Sequence, residues 1–120
     1  MRAVAILLLL AACHPQDDHT ARQLTGGEPA RGRELIHAYG CGACHTVPGV
    51  RGATGLVGPP LGEIADRMYL AGQLPNTPEN MKRWIREPQS VEAGTAMPNM
   101  NVSEGDARHM AAYLYTLRAQ

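Results

Sequence analysis

The pentapeptide Cys41-Gly42-Ala43-Cys44-His45 constrains this chain more than any other feature. Its two thiols stand three residues apart, so on one helical turn both reach the same edge of a flat ring. C-x-x-C-H is the attachment signature for c-type haem. The thiols form thioethers with the porphyrin vinyl groups, and the following histidine falls under the iron, where its neutral imidazole nitrogen is the proximal ligand. Three other chemistries use part of the pattern. A thioredoxin-like redox pair wants a βαβ setting. A closed zinc site wants four ligands, usually with a second C-x-x-C or an H-x-x-x-H pair. A disulfide across so short a loop gains little from constraining the unfolded chain. The chain offers little strand signal and no second ligand pair, and the adjacent histidine favours haem.

Composition asks for the same thing. In 120 residues, enough for one small domain, there is no phenylalanine, one tryptophan and four tyrosines. A core that thin needs a staple, and a covalently held porphyrin would supply the missing apolar mass. The formal net charge of zero argues against nucleic acid as a partner.

Residues 1–12 read as a signal peptide. Arg2 is a minimal positive start, and the apolar run Ala3 to Leu10 is too short to span a bilayer. The run ends Leu10-Ala11-Ala12-Cys13, which resembles the lipobox of bacterial lipoproteins and implies cleavage before Cys13 with lipid on its sulfur and new N-terminus. Ordinary cleavage nearby would leave Cys13 a free thiol, but lipidation accounts for the odd cysteine count: two for haem, one for lipid. Residues 13–28 would be the lipidated cysteine and a flexible polar tether, a coil of about 20 Å rms end to end. The domain proper is 29–120.

Four segments of that domain carry helical periodicity. Gly32, Leu35, Ile36 and Tyr39 follow Pro29, and Gly40 closes the helix just before Cys41. Leu61, Ile64, Ala65 and Met68 repeat the spacing after Pro59-Pro60. A third helix opens on Thr77 as N-cap with Pro78 first, carries Met81, Trp84 and Ile85, and stops before Pro88. The fourth is capped by Ser103, with Asp106 three residues on, and lines up Met110, Tyr113, Leu114 and Leu117. Gly/Pro-rich loops join the helices, and no segment alternates as a strand. The stripes read as core, and the fold class is all-α.

From about Pro29 to Leu117 the chain resembles a class I c-type cytochrome with a single haem. The order is the family's: a helix, C-x-x-C-H, the loop Gly58-Pro59-Pro60-Leu61, two middle helices, the loop Gly94-Thr95-Ala96-Met97-Pro98, and a last helix. The resemblance implies a cytochrome c fold of about four short helices wrapped around one haem c held by Cys41 and Cys44. His45 and Met97 would be the axial ligands to iron. The Pro59 carbonyl would accept a hydrogen bond from the far nitrogen of His45 and strengthen its donation. A thioether ligand favours ferrous iron and closes the sixth position. Met100 is the nearest competitor and His109 a weaker one. Trp84 would pack on the haem or near the Met97 sulfur, and Arg67 would face a haem propionate. Gly32 and Tyr113 match the contact between first and last helices. Two departures stand out: Ile36 holds a position commonly phenylalanine, and Lys82 is the sole lysine, so a lysine ring for docking cannot be carried over. Arginines and an apolar rim around Gly42, Ala43, Val47, Pro48 and Met100 would take its place.

The function implied is that of a monomeric single-electron carrier, not an enzyme. It would sit on the periplasmic side, held to the membrane through Cys13, and exchange electrons with membrane-associated redox proteins. A soluble periplasmic carrier, a haem-based sensor whose Met97 leaves the iron, and an electron-entry subunit of a larger redox enzyme are the alternatives.

Overall fold

The computed structural model describes residues 15–120. Among them the chain forms five α-helices, two single 3₁₀ turns and one short hairpin. The helices are α1 (Pro15–Thr25), α2 (Pro29–Ala38), α3 (Pro78–Arg86), α4 (Pro88–Val91) and α5 (Glu104–Leu114), and the fold is all-α. The residues expected as signal peptide, and Cys13, lie outside the described residues.

The central contact is α2 against α5. Leu35 and Ile36 of α2 and Ala107, Met110, Ala111 and Leu114 of α5 are all buried. The axes approach so closely at Gly32 that a Cβ there would collide with the His109 carbonyl and crowd the Tyr113 Cβ. The expected pairing of Gly32 with Tyr113 is therefore a close helix crossing. Tyr39 fastens the same crossing at its far end, its hydroxyl donating to Asp106 Oδ2 at 2.7 Å.

Both expected caps form. The Thr77 hydroxyl oxygen accepts from the Asn80 N–H at 3.2 Å, and Ser103 accepts from the Asp106 N–H at 3.1 Å. These satisfy donors that the first helical turn leaves without partners. Pro88 ends α3 after Glu87 and at once opens the one-turn helix α4, which periodicity alone did not reveal.

Two expectations are corrected. The segment expected as a flexible tether folds: α1 covers Pro15–Thr25 and packs on α5, with Ala21 and Thr25 buried. The Thr25 hydroxyl donates to the Ala21 carbonyl at 2.7 Å, and the Glu28 N–H donates to His109 Nδ1 at 2.9 Å, clamping the α1–α2 junction to α5. The helix expected over Leu61 to Met68 is a single 3₁₀ turn, Ile64–Asp66. Only Ile64 of its stripe is buried, and Met68 is 79 % exposed. The Asn76 side-chain amide donates to the Ile64 and Arg67 carbonyls, each at 2.8 Å, and so ends the turn before a second can form. The chain then makes a hairpin, β1 (Tyr69–Leu70) antiparallel to β2 (Leu74–Pro75), with Leu70 opposite Leu74. Its turn runs through Ala71 and Gly72 at φ 51° and 68°, the pair of positive values that a type I′ turn requires.

Candidate haem site

The C-x-x-C-H motif is wound tightly where α2 ends. The Ala43 N–H donates to the Gly40 carbonyl, and the Cys44 and His45 N–H groups both donate to the Cys41 carbonyl at 3.2 and 3.0 Å. The following loop folds back over the motif: Gly55 N–H donates to the Gly42 carbonyl, and Gly58 N–H to the Cys44 carbonyl at 2.8 Å. Tyr113 ties this layer to α5 by donating its hydroxyl to the Pro48 carbonyl.

His45 is oriented from two sides. Its Nδ1 lies 2.8 Å from the Pro59 carbonyl oxygen. A carbonyl only accepts, so Nδ1 carries the proton and Nε2 keeps its lone pair. Gly58 lies against the ring face, and a Cβ there would collide with Cε1. Arg67, expected at a propionate, donates its guanidinium to the Pro60 carbonyl and is not among the residues lining the cleft. It braces the segment that orients His45.

The cleft is almost wholly apolar, with a cavity of ≈ 70 Å³ inside a wider hollow that opens to solvent. Ile36 lines it from α2, Met81, Trp84 and Ile85 from α3, and Met110 and Leu114 from α5. Cys41 and His45 enter from the motif, and Met97 and Met100 from the loop before α5. Trp84 lies on the cleft, and so does Ile36, which stands where the resemblance commonly has phenylalanine. His109 lies elsewhere, engaged with the Glu28 N–H. Both Cys41 and Cys44 are free thiols, half-buried. Burial is the main cause that pushes the Cys41 thiol above its ordinary value, so it faces the cleft neutral.

These residues fit a covalent haem. The walls suit a flat apolar macrocycle, a thiol and a proton-free imidazole nitrogen belong to the same lining, and soft thioether sulfur is available. They do not fit the rival chemistries. Among the described residues no three His, Cys, Asp or Glu side chains converge to hold a bare metal ion, and the hairpin gives no βαβ setting for a redox pair.

The expected rim is partly corrected. Val47 is 2 % exposed and belongs to the core. Ala43, Pro48 and Met100 are exposed, and they are joined by Leu56 and Val57, at 89 % and 74 % exposure, on the loop that folds over the motif. Two polar residues also escaped the sequence reading, Asn76 and Gln89. Both donate their side-chain NH₂ to two backbone carbonyls, which leave no mark in a residue pattern.

A small helical domain whose apolar cleft is lined at once by the C-x-x-C-H cysteine and histidine and by methionine defines an electron-transfer haem protein. The chain belongs to the cytochrome c family, whose model matches residues 29–118. It is similar to cytochrome c oxidase subunit 2 of Alkalihalophilus pseudofirmus (strain ATCC BAA-2126 / JCM 17055 / OF4), with 37 % identity over 89 residues, 73 % of this chain and 25 % of the relative. The same subunit of Bacillus sp. (strain PS3) is 32 % identical over 95 residues, 76 % of this chain and 27 % of the relative. That of Bacillus subtilis (strain 168) is 28 % identical over 94 residues, 75 % and 26 % of the two chains. The chain therefore spans about a quarter of the length of these relatives.

Proposed function

We propose that this protein is a single-electron carrier with one haem c, held by Cys41 and Cys44 and ligated by His45 and Met97. The observation that carries the reading is the 2.8 Å bond from His45 Nδ1 to the Pro59 carbonyl, which leaves Nε2 as the free donor on an apolar cleft also lined by Met97. Bound there, the haem iron supplies the ferric–ferrous couple. The chain supplies the rest: the Pro59 carbonyl raises the basicity of His45, Gly58 and the Pro59-Pro60 segment fix the ring plane, and the helices exclude water.

The partner is a membrane respiratory complex, in line with the similarity to cytochrome c oxidase subunit 2. Lipid on Cys13 would hold the domain on the periplasmic face of the membrane with α1 nearest the anchor. That same similarity favours a second reading, in which the domain is the electron-entry part of a larger oxidase rather than a shuttle.

The test is the optical spectrum of the haem-loaded protein in both oxidation states. Sharp reduced bands and a weak red absorption in the oxidised form are expected, the red band being lost in Met97→Ala and kept in Met100→Ala. A chain that carries no haem stain on a denaturing gel ends the proposal. Rapid stoichiometric carbon monoxide binding to the reduced protein would point to a sensor instead.

A further inference from the structure

The loop that carries Met97 has little to hold it. Ala93, Gly94, Ala96, Pro98, Asn99 and Met100 are all exposed. Few backbone bonds restrain it; one is Thr95 N–H to the Glu92 carbonyl at 3.1 Å. Two methionines in this stretch line the cleft. Something must decide which of them is presented.

We propose that Gln89 is the positioning residue that fixes Met97, rather than Met100, as the methionine offered to the cleft. The inference rests on the reading of Met97 as an iron ligand. Gln89 sits on α4 directly after Pro88, whose side chain is among the most completely buried in the molecule. α4 is in turn joined to α3 through Glu87, whose carbonyl accepts from the Ser90 N–H at 3.0 Å and the Ser90 hydroxyl at 2.8 Å. From this rigid seat the amide reaches across the loop. Nε2 donates to the Thr95 carbonyl at 2.8 Å and to the Met97 carbonyl at 2.9 Å, and Oε1 accepts from the Gly94 N–H at 3.2 Å. Turning the amide over would set its oxygen against two carbonyls and its NH₂ against an N–H, so the three partners fix its orientation. Thr95 adds one bond within the loop, its Oγ1 accepting from the Met97 N–H at 3.4 Å. The staple thus spans Gly94 to Met97 and stops there. Met100 lies beyond it, 42 % exposed.

The polarity of the staple is specific. Two donors and one acceptor are used, and only an amide of this length supplies both. Glutamate has the same length but turns the donors into acceptors facing the Thr95 and Met97 carbonyls. Alanine removes all three bonds. Loss of two or three ordinary hydrogen bonds raises the population with Met97 off the iron about tenfold or more.

The experiment uses the haem-loaded protein with Gln89→Ala and Gln89→Glu. Two quantities are read: the red absorption of the oxidised form, and the affinity of the reduced form for carbon monoxide, which competes for the position Met97 vacates. Circular dichroism and haem stoichiometry establish that each variant is folded and loaded. Both variants are expected to weaken the red absorption and to bind carbon monoxide about tenfold or more tightly than the parent. Should Gln89→Ala not accumulate as folded haem protein, Gln89→Asn, one methylene short, carries the same measurement. A Gln89→Glu variant indistinguishable from the parent would reduce Gln89 to a space-filler and overturn the proposal. So would parental behaviour of both variants while Met97→Ala loses the red absorption, since that failure touches Gln89 alone. A red absorption that survives Met97→Ala overturns the ligation reading beneath it.

Discussion

Asn76 holds three elements with one amide. Its Nδ2 donates to the Ile64 and Arg67 carbonyls, and its Oδ1 accepts from the Tyr115 hydroxyl at 2.8 Å. Asn76→Ala should therefore cost about 1–3 kcal/mol in urea denaturation, because groups with little access to water lose their partners. A change within error would mean that water replaces the amide. Tyr115 gives the same cluster a pH signature. It is 5 % exposed, and burial of the phenol pushes its pKa up from 10.0 to about 12, with Arg118 acting weakly the other way. Tyr39, through its bond to Asp106, and Tyr113, through burial, are raised as well. A raised pKa means that the folded state keeps its proton after the unfolded chain has lost it. Stability is thus full below the unfolded value and declines as pH climbs toward the folded one. Denaturation midpoints should stay level up to about pH 9 and fall between about 10 and 12, and the fall should be shallower in Tyr115→Phe. An equally steep fall in that variant would place the alkaline weakness elsewhere. Neither Asn76 nor Gln89 was legible in the sequence, because a polar side chain that reads backbone carbonyls obeys no periodicity. His45 and Pro59 were legible because the motif names one and its loop the other.

At the scale of elements, the caps were the most readable signals. Thr77 with Pro78, and Ser103 with Asp106, act over three residues, so short-range chemistry decides them. The Leu61–Met68 stripe misled because spacing alone says nothing of Asn76, which arrives from later in the chain to end the turn. α1 was missed for the opposite reason: its buried face consists of little more than Ala21 and Thr25, and a stripe that small looks polar. Its other signals were present, with Pro15 at the start, Asp17 and Asp18 in the first turn and Arg22 in the last, all favourable to the helix dipole. Ala21 is 1 % exposed against α5, so Ala21→Leu should overpack the contact and cost about 1–3 kcal/mol in chemical denaturation. The red absorption of the haem-loaded protein should not change, since α1 contributes nothing to the cleft lining. A shift in that absorption would show that α1 acts on the haem side after all.

For the whole molecule, docking has to proceed without a charge ring. The formal net charge is zero, and the single lysine, Lys82, is paired with Glu79 at 2.7 Å. Around the motif the exposed apolar groups include Ala43, Pro48, Leu56, Val57 and Met100, with Arg51 and Thr54 exposed on the same loop. An apolar contact of this kind suits a transient partner, because it forms without desolvating ion pairs and separates without rebuilding them. It also predicts how electron transfer responds to salt. Long-range steering between charged proteins weakens steeply as the Debye length falls from about 30 Å at 0.01 M to about 8 Å at 0.15 M. Here the second-order rate with a membrane oxidase should change by less than about threefold over that range. Replacing the two exposed apolar side chains of the loop over the motif, Leu56→Asp with Val57→Asp, should instead lower that rate about tenfold or more, by placing charge where a dry contact forms. The rate with a small inorganic oxidant, which needs no docking surface, should hold steady in the same variant and separates lost docking from a damaged haem site. A steep salt dependence in the parent protein, with a normal rate in the double variant, would show that arginines steer this carrier and that Leu56 and Val57 are bystanders.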